Sequence, residues 1–186
     1  MASTWIGLGG NNAPLIQMGT YSNATGSNSD YDVWYEIVGT NKDTGGSMII
    51  PLTHSPGDQY YGDIWLTFDT SGFMTAHFYI SDQTKNLTYS FSVSGISAWS
   101  GVTSSAEWIL ERPSRNTSLY YLSKISNVPF TCLAANYGVK TKPDPYDAST
   151  VYTRMRDSAG TQIAGCTTID YNGYYEATWL SYGNGN

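Results

Sequence analysis

Charge is scarce in this sequence. Of its 186 residues only 13% are Asp, Glu, Lys or Arg, about half the ~25% usual in soluble domains. Nine Lys and Arg stand against fifteen Asp and Glu, for a net charge of -6. The basic residues are scattered, which excludes a nucleic-acid partner, because neutralising phosphates needs clustered basic side chains. Long apolar runs are absent too. None approaches the ~18 residues of a membrane span, so no membrane partner is expected. Cysteine occurs twice, as Cys132 and Cys166. Their spacing matches no metal or redox pattern and allows one disulfide or two free thiols. Histidine also occurs twice, as His54 and His77. With no Cys/His cluster, a structural zinc is not expected. Glutamate is rarest among the acids: eleven Asp, but only Glu36, Glu107, Glu111 and Glu176.

What is abundant is aromatic. Sixteen Tyr lead a 15% aromatic share, and 40% of the chain is apolar. Disorder is excluded, since such a chain can bury ample surface. The length favours one domain, residues 1–186. In strong acid the chain would carry only about +11, so self-repulsion there is mild. Few carboxylates also leave little stability to lose on protonation. That composition suits an acid environment, and it equally suits an ordinary secreted Ser/Thr/Tyr/Gly-rich β-protein. Sequons at Asn23, Asn86 and Asn116 matter only in a source that glycosylates. The segment Met1-Ala2-Ser3-Thr4-Trp5 has no apolar export core. An extracellular location therefore assumes that a leader, and any propeptide, are missing from this sequence.

Turn signals recur every eight to fifteen residues, and no window holds a helical period over three turns. Strands are expected at 4–8, 15–21, 31–38, 47–50, 63–68, 73–80, 87–93, 106–111, 118–122, 129–134, 150–156 and 174–182. This rhythm reads as an all-β sandwich or barrel. The clearest hairpin joins 63–68 to 73–80 through Asp69-Thr70-Ser71-Gly72.

Alternation assigns faces. Tyr31, Val33, Tyr35 and Ile37 share one face of their strand and read as core. Asp32, Trp34, Glu36 and Val38 share the other. A face offering Asp, Trp and Glu in register looks like a binding surface. Farther on, Glu107, Ile109 and Glu111 lie opposite Trp108 and Leu110, and Trp108 reads as core. His77, alternating within an apolar strand, reads as a satisfied sandwich histidine.

Paired carboxylates on a sandwich suggest two hydrolytic chemistries. Glycoside cleavage needs two carboxyls about 5–5.5 Å or about 6.5–9.5 Å apart. Residues four apart on one strand are separated by about 13 Å. Neither Asp32 and Glu36 nor Glu107 and Glu111 can form that pair alone, although a pair across strands stays open. Peptide hydrolysis needs one carboxylate to take a proton from water and a neutral donor to hold the oxyanion. Gln17, a polar amide inside the apolar run Leu15-Ile16-Gln17-Met18-Gly19, is a candidate donor. It can equally be a satisfied glutamine on a half-buried strand.

Four segments then carry a resemblance: Trp5-Ile6-Gly7-Leu8-Gly9-Gly10, Leu15-Ile16-Gln17-Met18-Gly19, Tyr31-Asp32-Val33-Trp34-Tyr35-Glu36 and Ala106-Glu107-Trp108-Ile109-Leu110-Glu111. In order and spacing the chain resembles the eqolisins, or glutamic peptidases, from about Trp5 to Tyr182. The resemblance implies a two-sheet antiparallel β-sandwich of the concanavalin-like jelly-roll kind, with bent sheets and a site on the concave face. It implies a secreted, acid-acting endopeptidase of polypeptide substrates, monomeric and without cofactor or metal. Gln17 and Glu111 would be the catalytic pair, on adjacent strands. Trp5, Asp32, Trp34, Tyr35 and Glu36 would bind substrate, although strand alternation turns Tyr35 to the opposite face. Activity is expected below about pH 5, where crowded neighbouring carboxylates are relieved of charge.

The chain departs from the family at several points. Gly9 or Gly10 replaces an Asp common after the first motif, Thr20-Tyr21 stands where an Asp follows the Gln, and Ser114 replaces an acid beyond Glu111. A further N-terminal strand of the fungal members is missing from this sequence. Two alternatives remain at this point: a lectin-like carbohydrate-binding sandwich and a jelly-roll glycoside hydrolase.

Overall fold

Among the described residues fifteen strands follow one another and no helix occurs. The computed structural model describes residues 1–10, 14–25, 28–115, 118–132, 134–136, 139–141 and 151–182. The strands are β1 (Ala2–Gly9), β2 (Leu15–Thr25), β3 (Asn28–Val38), β4 (Met48–Thr53), β5 (Tyr60–Phe68), β6 (Phe73–Asp82), β7 (Leu87–Ser97) and β8 (Ala106–Glu111). Then come β9 (Ser114–Arg115), β10 (Ser118–Leu119), β11 (Val128–Thr131), β12 (Ala134–Asn136), β13 (Val139–Thr141), β14 (Ala164–Cys166) and β15 (Tyr174–Trp179). The chain divides into two compact units: residues 4–22 with 28–109, and residues 1–3 and 23–27 with 110–186.

The first unit is a sandwich. One sheet runs in the order β4-β3-β2-β1-β8, the other β5-β6-β7. Its core joins Ile16 and Met18 of β2, Val33 and Ile37 of β3 and Ile50 of β4 to Met74, Ala76, Phe78 and Ile80 of β6 and Ile96 of β7. These residues sit at alternate strand positions, as a strand buried on one face requires. Tyr35 joins them, its ring 5.4 Å from Phe78 and 4.6 Å from Phe91.

The hairpin β5–β6 pairs from Tyr60↔Asp82 to Phe68↔Met74. Asp69 closes its turn by accepting from the backbone N–H of Ser71 at 2.8 Å and of Phe73 at 2.9 Å. The second unit holds the sheet β11-β15-β14 and the pairs β9–β10 and β12–β13. Its own core gathers Ala2, Leu122, Ile163 and Ala164 with Leu110, Ile125, Met155 and Trp179. Cys132 and Cys166 are both free thiols, and burial pushes Cys132 up to about 12.

The expected strand 150–156 is not formed. Residue 150 lies outside the described residues, and of the rest only Arg156 pairs, in a single bridge to Gln162. The expected strand 118–122 shortens to Ser118–Leu119.

The first unit also contains a charged cluster. Asp82, fully buried, accepts from the backbone N–H groups of Thr84 and Lys85 and lies 3.5 Å from the Lys85 ammonium. Lys85 also pairs closely with Asp58, whose carboxylate accepts from Ser55 N–H at 2.6 Å. His54 sits 3.8 Å from Asp58, between the edges of Tyr31 and Tyr60. Burial lowers the His54 pKa, and Lys85 adds to that, against the pull of Asp58, Asp82 and Asp32. Burial works to raise Asp58, but Lys85 and the Ser55 N–H outweigh it and hold Asp58 low.

A lowered His pKa means that the unfolded chain takes up the proton first, so stability falls as pH drops below the ordinary value of ~6.5. In thermal melts from pH 8 to 4, His54→Phe is expected to lose less stability than the parent below pH 6.5. Parallel curves for the two proteins would refute this role.

Candidate active site

Burying Ile16 and Met18 in the core turns Gln17 to the opposite face of β2. That face is not open either: Gln17 is only 7% exposed and Trp34, on β3, 5%. The Gln17 amide Nε2 donates to Glu36 Oε2 at 2.9 Å. Its Oε1, like the Trp34 indole Nε1, is buried with no hydrogen-bond partner among the described residues. An orphaned buried polar atom costs about 1–3 kcal/mol, and such atoms in a native fold call for an explanation.

Four residues along β2 and four back along β3, a second pair repeats the arrangement. The Tyr21 hydroxyl donates to Asp32 Oδ2 at 2.6 Å. That bond and burial push the Tyr21 pKa up to about 12. The two pairs have the order that facing residues of antiparallel neighbours must have. Tyr21 was absent from the residues expected at the site. The reversed spacing on either side of the turn signal Gly26-Ser27-Asn28 is the sequence feature that could have found it.

Trp5 of β1 is buried. It lies so close to Gly19 that a Cβ there would stand 2.6 Å from Trp5 Cβ. The glycine ending Leu15-Ile16-Gln17-Met18-Gly19 is therefore a steric requirement of the close approach of the β1 backbone at Thr4 and Trp5. Gly10, at φ +92°, plays a similar part beside Glu107, since a Cβ there would come within 2.8 Å of Glu107 Oε1. Burial raises the Glu107 pKa.

The expected site residues thus divide. Gln17, Asp32, Trp34 and Glu36 share one face of β2 and β3, with Trp5 on the neighbouring β1. Tyr35 lies on the other face, in the inter-sheet core, as strand parity expects. Glu111, half-buried, ends β8 in the second unit, where its neighbour Leu110 joins the core. The expectation that the strands of Gln17 and Glu111 are immediate neighbours is corrected, because β1 lies between β2 and β8. Sequence gave no means to see this: β1 precedes β2 in the chain, and β8 pairs with it from some 100 residues away.

Among the described residues no group of three His, Cys, Asp or Glu is placed to hold a metal, and no helix is long and apolar enough to cross a membrane. The raised Glu107 carboxyl yields a test. A folded-state pKa above the unfolded one means that the native state holds the proton longer, so its contribution is lost as pH rises. Glu107→Gln should therefore melt higher than the parent at pH 7, and the difference should vanish below about pH 4. Equal melting points at pH 7 would count against a strained Glu107 carboxylate.

Comparison with known proteins follows the same line. A profile of the Peptidase A4 family matches residues 1–174. Aspergilloglutamic peptidase from Aspergillus niger is similar in structure at a TM-score of 0.73 and 20% identity, over 96% of this chain and 98% of that one. Scytalidoglutamic peptidase, solved with a peptide-based transition-state analogue, is similar at a TM-score of 0.67 and 18% identity, over 96% and 83%. SCP-B, an eqolisin solved with the tripeptide Ala-Ile-His, is similar at a TM-score of 0.61 and 17% identity, over 96% and 82%. No curated protein matches. The solved structures establish the β-sandwich fold. The profile, running through all four sequence motifs, decides between the peptidase and carbohydrate readings: the chain belongs to the Peptidase A4 family, the eqolisins, and is a glutamic endopeptidase.

Proposed function

We propose that residues 1–186 form one peptidase domain that cleaves polypeptides in acid by a Gln17/Glu111 dyad. The observation that carries this reading is Gln17 itself, a buried amide on the face opposite the core, held by Glu36 and with an oxygen unpaired among the described residues. Glu111 is assigned by its position closing the Ala106–Glu111 motif of a family to which the chain belongs.

In the proposed reaction the ionised Glu111 takes a proton from water as the water oxygen bonds to the scissile carbonyl carbon. The carbonyl π pair moves onto oxygen, and a Gln17 N–H donates to that oxyanion. Glu111 then passes its proton to the amide nitrogen. The C–N bond breaks with its electron pair leaving on nitrogen, and the carbonyl reforms as the product acid. Trp5, Asp32, Trp34 and Glu36 would border the bound chain. Tyr35, packed in the core, would support that wall from behind. The protein would act outside the cell as a monomer.

The test is digestion of acid-denatured haemoglobin from pH 2 to 8, with folding followed by circular dichroism. The parent should be most active below about pH 5. Glu111→Gln should lose nearly all activity while remaining folded. Gln17→Ala should lose roughly 10²–10³-fold in turnover, the scale of removing an oxyanion donor. Glu107→Gln should keep far more activity than Glu111→Gln. Inhibitors built for paired-aspartate peptidases should have little effect. A Glu111→Gln protein that digests as fast as the parent would remove the dyad.

A further inference from the structure

We infer that Glu36 is a positioning residue for the proteolytic reaction: its carboxylate fixes the rotation of the Gln17 amide, so that one N–H and the carbonyl oxygen of that amide are presented together to the reacting carbonyl. The inference rests on the reading of Gln17 as the oxyanion donor and adds to it the group that makes the amide a donor in one defined orientation.

The terminal torsion of glutamine is broad and nearly two-fold, so nitrogen and oxygen exchange places at little intrinsic cost. In water the exchange is harmless. At an oxyanion site it is not, because half of the population would aim a carbonyl oxygen at a developing negative charge. Something must break the symmetry, and a carboxylate does so, since an ionised carboxylate accepts hydrogen bonds and cannot donate them. With Glu36 Oε2 2.9 Å from Gln17 Nε2, the flipped amide would face an acceptor with an acceptor. A bond to a charged group is strong enough to hold one orientation about 10-fold to 100-fold over the other.

The remaining features fit that role. Gln17 and Glu36 stand on neighbouring strands of one sheet, so their separation is set by backbone pairing rather than by a loop. Burial leaves Gln17 little freedom to seek other partners. With one N–H held by Glu36, the amide retains a second N–H and the carbonyl oxygen Oε1, which is buried and unpartnered among the described residues. Water addition to a peptide carbonyl creates a carbon bearing one anionic oxygen and one hydroxyl. A locked amide offers a donor to the first and an acceptor to the second. A glutamine kept only for packing would gain nothing from an orphaned oxygen, and an apolar residue of its size would serve better.

The experiment is a double-mutant cycle in steady-state kinetics on a quenched fluorescent peptide, taken from a site that the parent cleaves in haemoglobin. Glu36→Ala should lower kcat roughly 10²-fold, the scale of a misoriented group, with KM within about twofold. Glu36→Gln, whose carbonyl can accept the same N–H, should recover to within about tenfold of the parent. In a Gln17→Ala background, Glu36→Ala should change kcat by less than about twofold. Glu36→Met, similar in length but unable to accept the bond, replaces the alanine variant if that fails to fold. A raised KM at unchanged kcat, a full further loss without Gln17, or no recovery in Glu36→Gln would overturn the assignment. If Gln17→Ala alone is as active as the parent, the fault lies instead with the underlying reading of Gln17.

Discussion

Successive side chains leave a β-strand on opposite faces. Committing Ile16 and Met18 to the core between the two sheets therefore commits Gln17 to the other side, whatever its chemistry. The same constraint acts on β3, where burying Val33 and Ile37 obliges Asp32, Trp34 and Glu36 to share the face of Gln17. A one-residue slip in either strand would exchange the whole set. The hydrophobic core is thus also what aligns the polar site. The bonds Gln17–Glu36 and Tyr21–Asp32 are side-chain contacts that follow from a register fixed by burial. Glycine completes the arrangement where two strands come too close for any side chain, at Gly19 beside the backbone of Thr4 and Trp5.

Electrostatics in so weakly charged a chain is local. The cluster of His54, Asp58, Asp82 and Lys85 ties the end of β6 to the segment before β5, with Asp82 as its buried centre. Within it the fold lowers the pKa values of His54 and Asp58. Glu107, half-buried beside Gly10, is shifted the other way, its proton held more tightly in the folded state. Acidification therefore works against the first group and relieves the second.

Much of this could be read from the sequence, and what could not has a physical reason. Strands β1 to β8, the β5–β6 hairpin and the placing of Tyr35 in the core all follow from period-two alternation and turn residues. So does the shared face of Asp32, Trp34 and Glu36. Strands of two or three residues, such as β9, β13 and β14, are too short for a period to register. The segment 150–156 has strand-like composition, but among its described residues only Arg156 enters a β-bridge. Sheet order was the harder loss: nothing in a local pattern reveals that β1 separates β2 from β8, because that pairing joins distant parts of the chain. The Tyr21–Asp32 bond, by contrast, was available from hairpin arithmetic. The Glu36 contact was open to the same arithmetic, but only the structure reveals which atom of the Gln17 amide it meets.

The closure of β8 onto β1 is marked by Gly9 N–H donating to Ser105 O at 3.2 Å and Ser105 Oγ donating to Gly9 O at 2.7 Å, across 96 residues of sequence. The β5-β6-β7 meander and the β2–β3 pair need only short loops. Loop-closure entropy favours such local pairings early and leaves the long-range one for late in folding. The strand bearing Glu107 and Glu111 is then among the last to be seated. While the newly made chain still exposes extended, cleavable segments of its own, it holds the amide half of its proposed machinery and lacks the carboxylate half. The order in which the sheet assembles would by itself protect a peptidase of this kind from digesting its own folding intermediates.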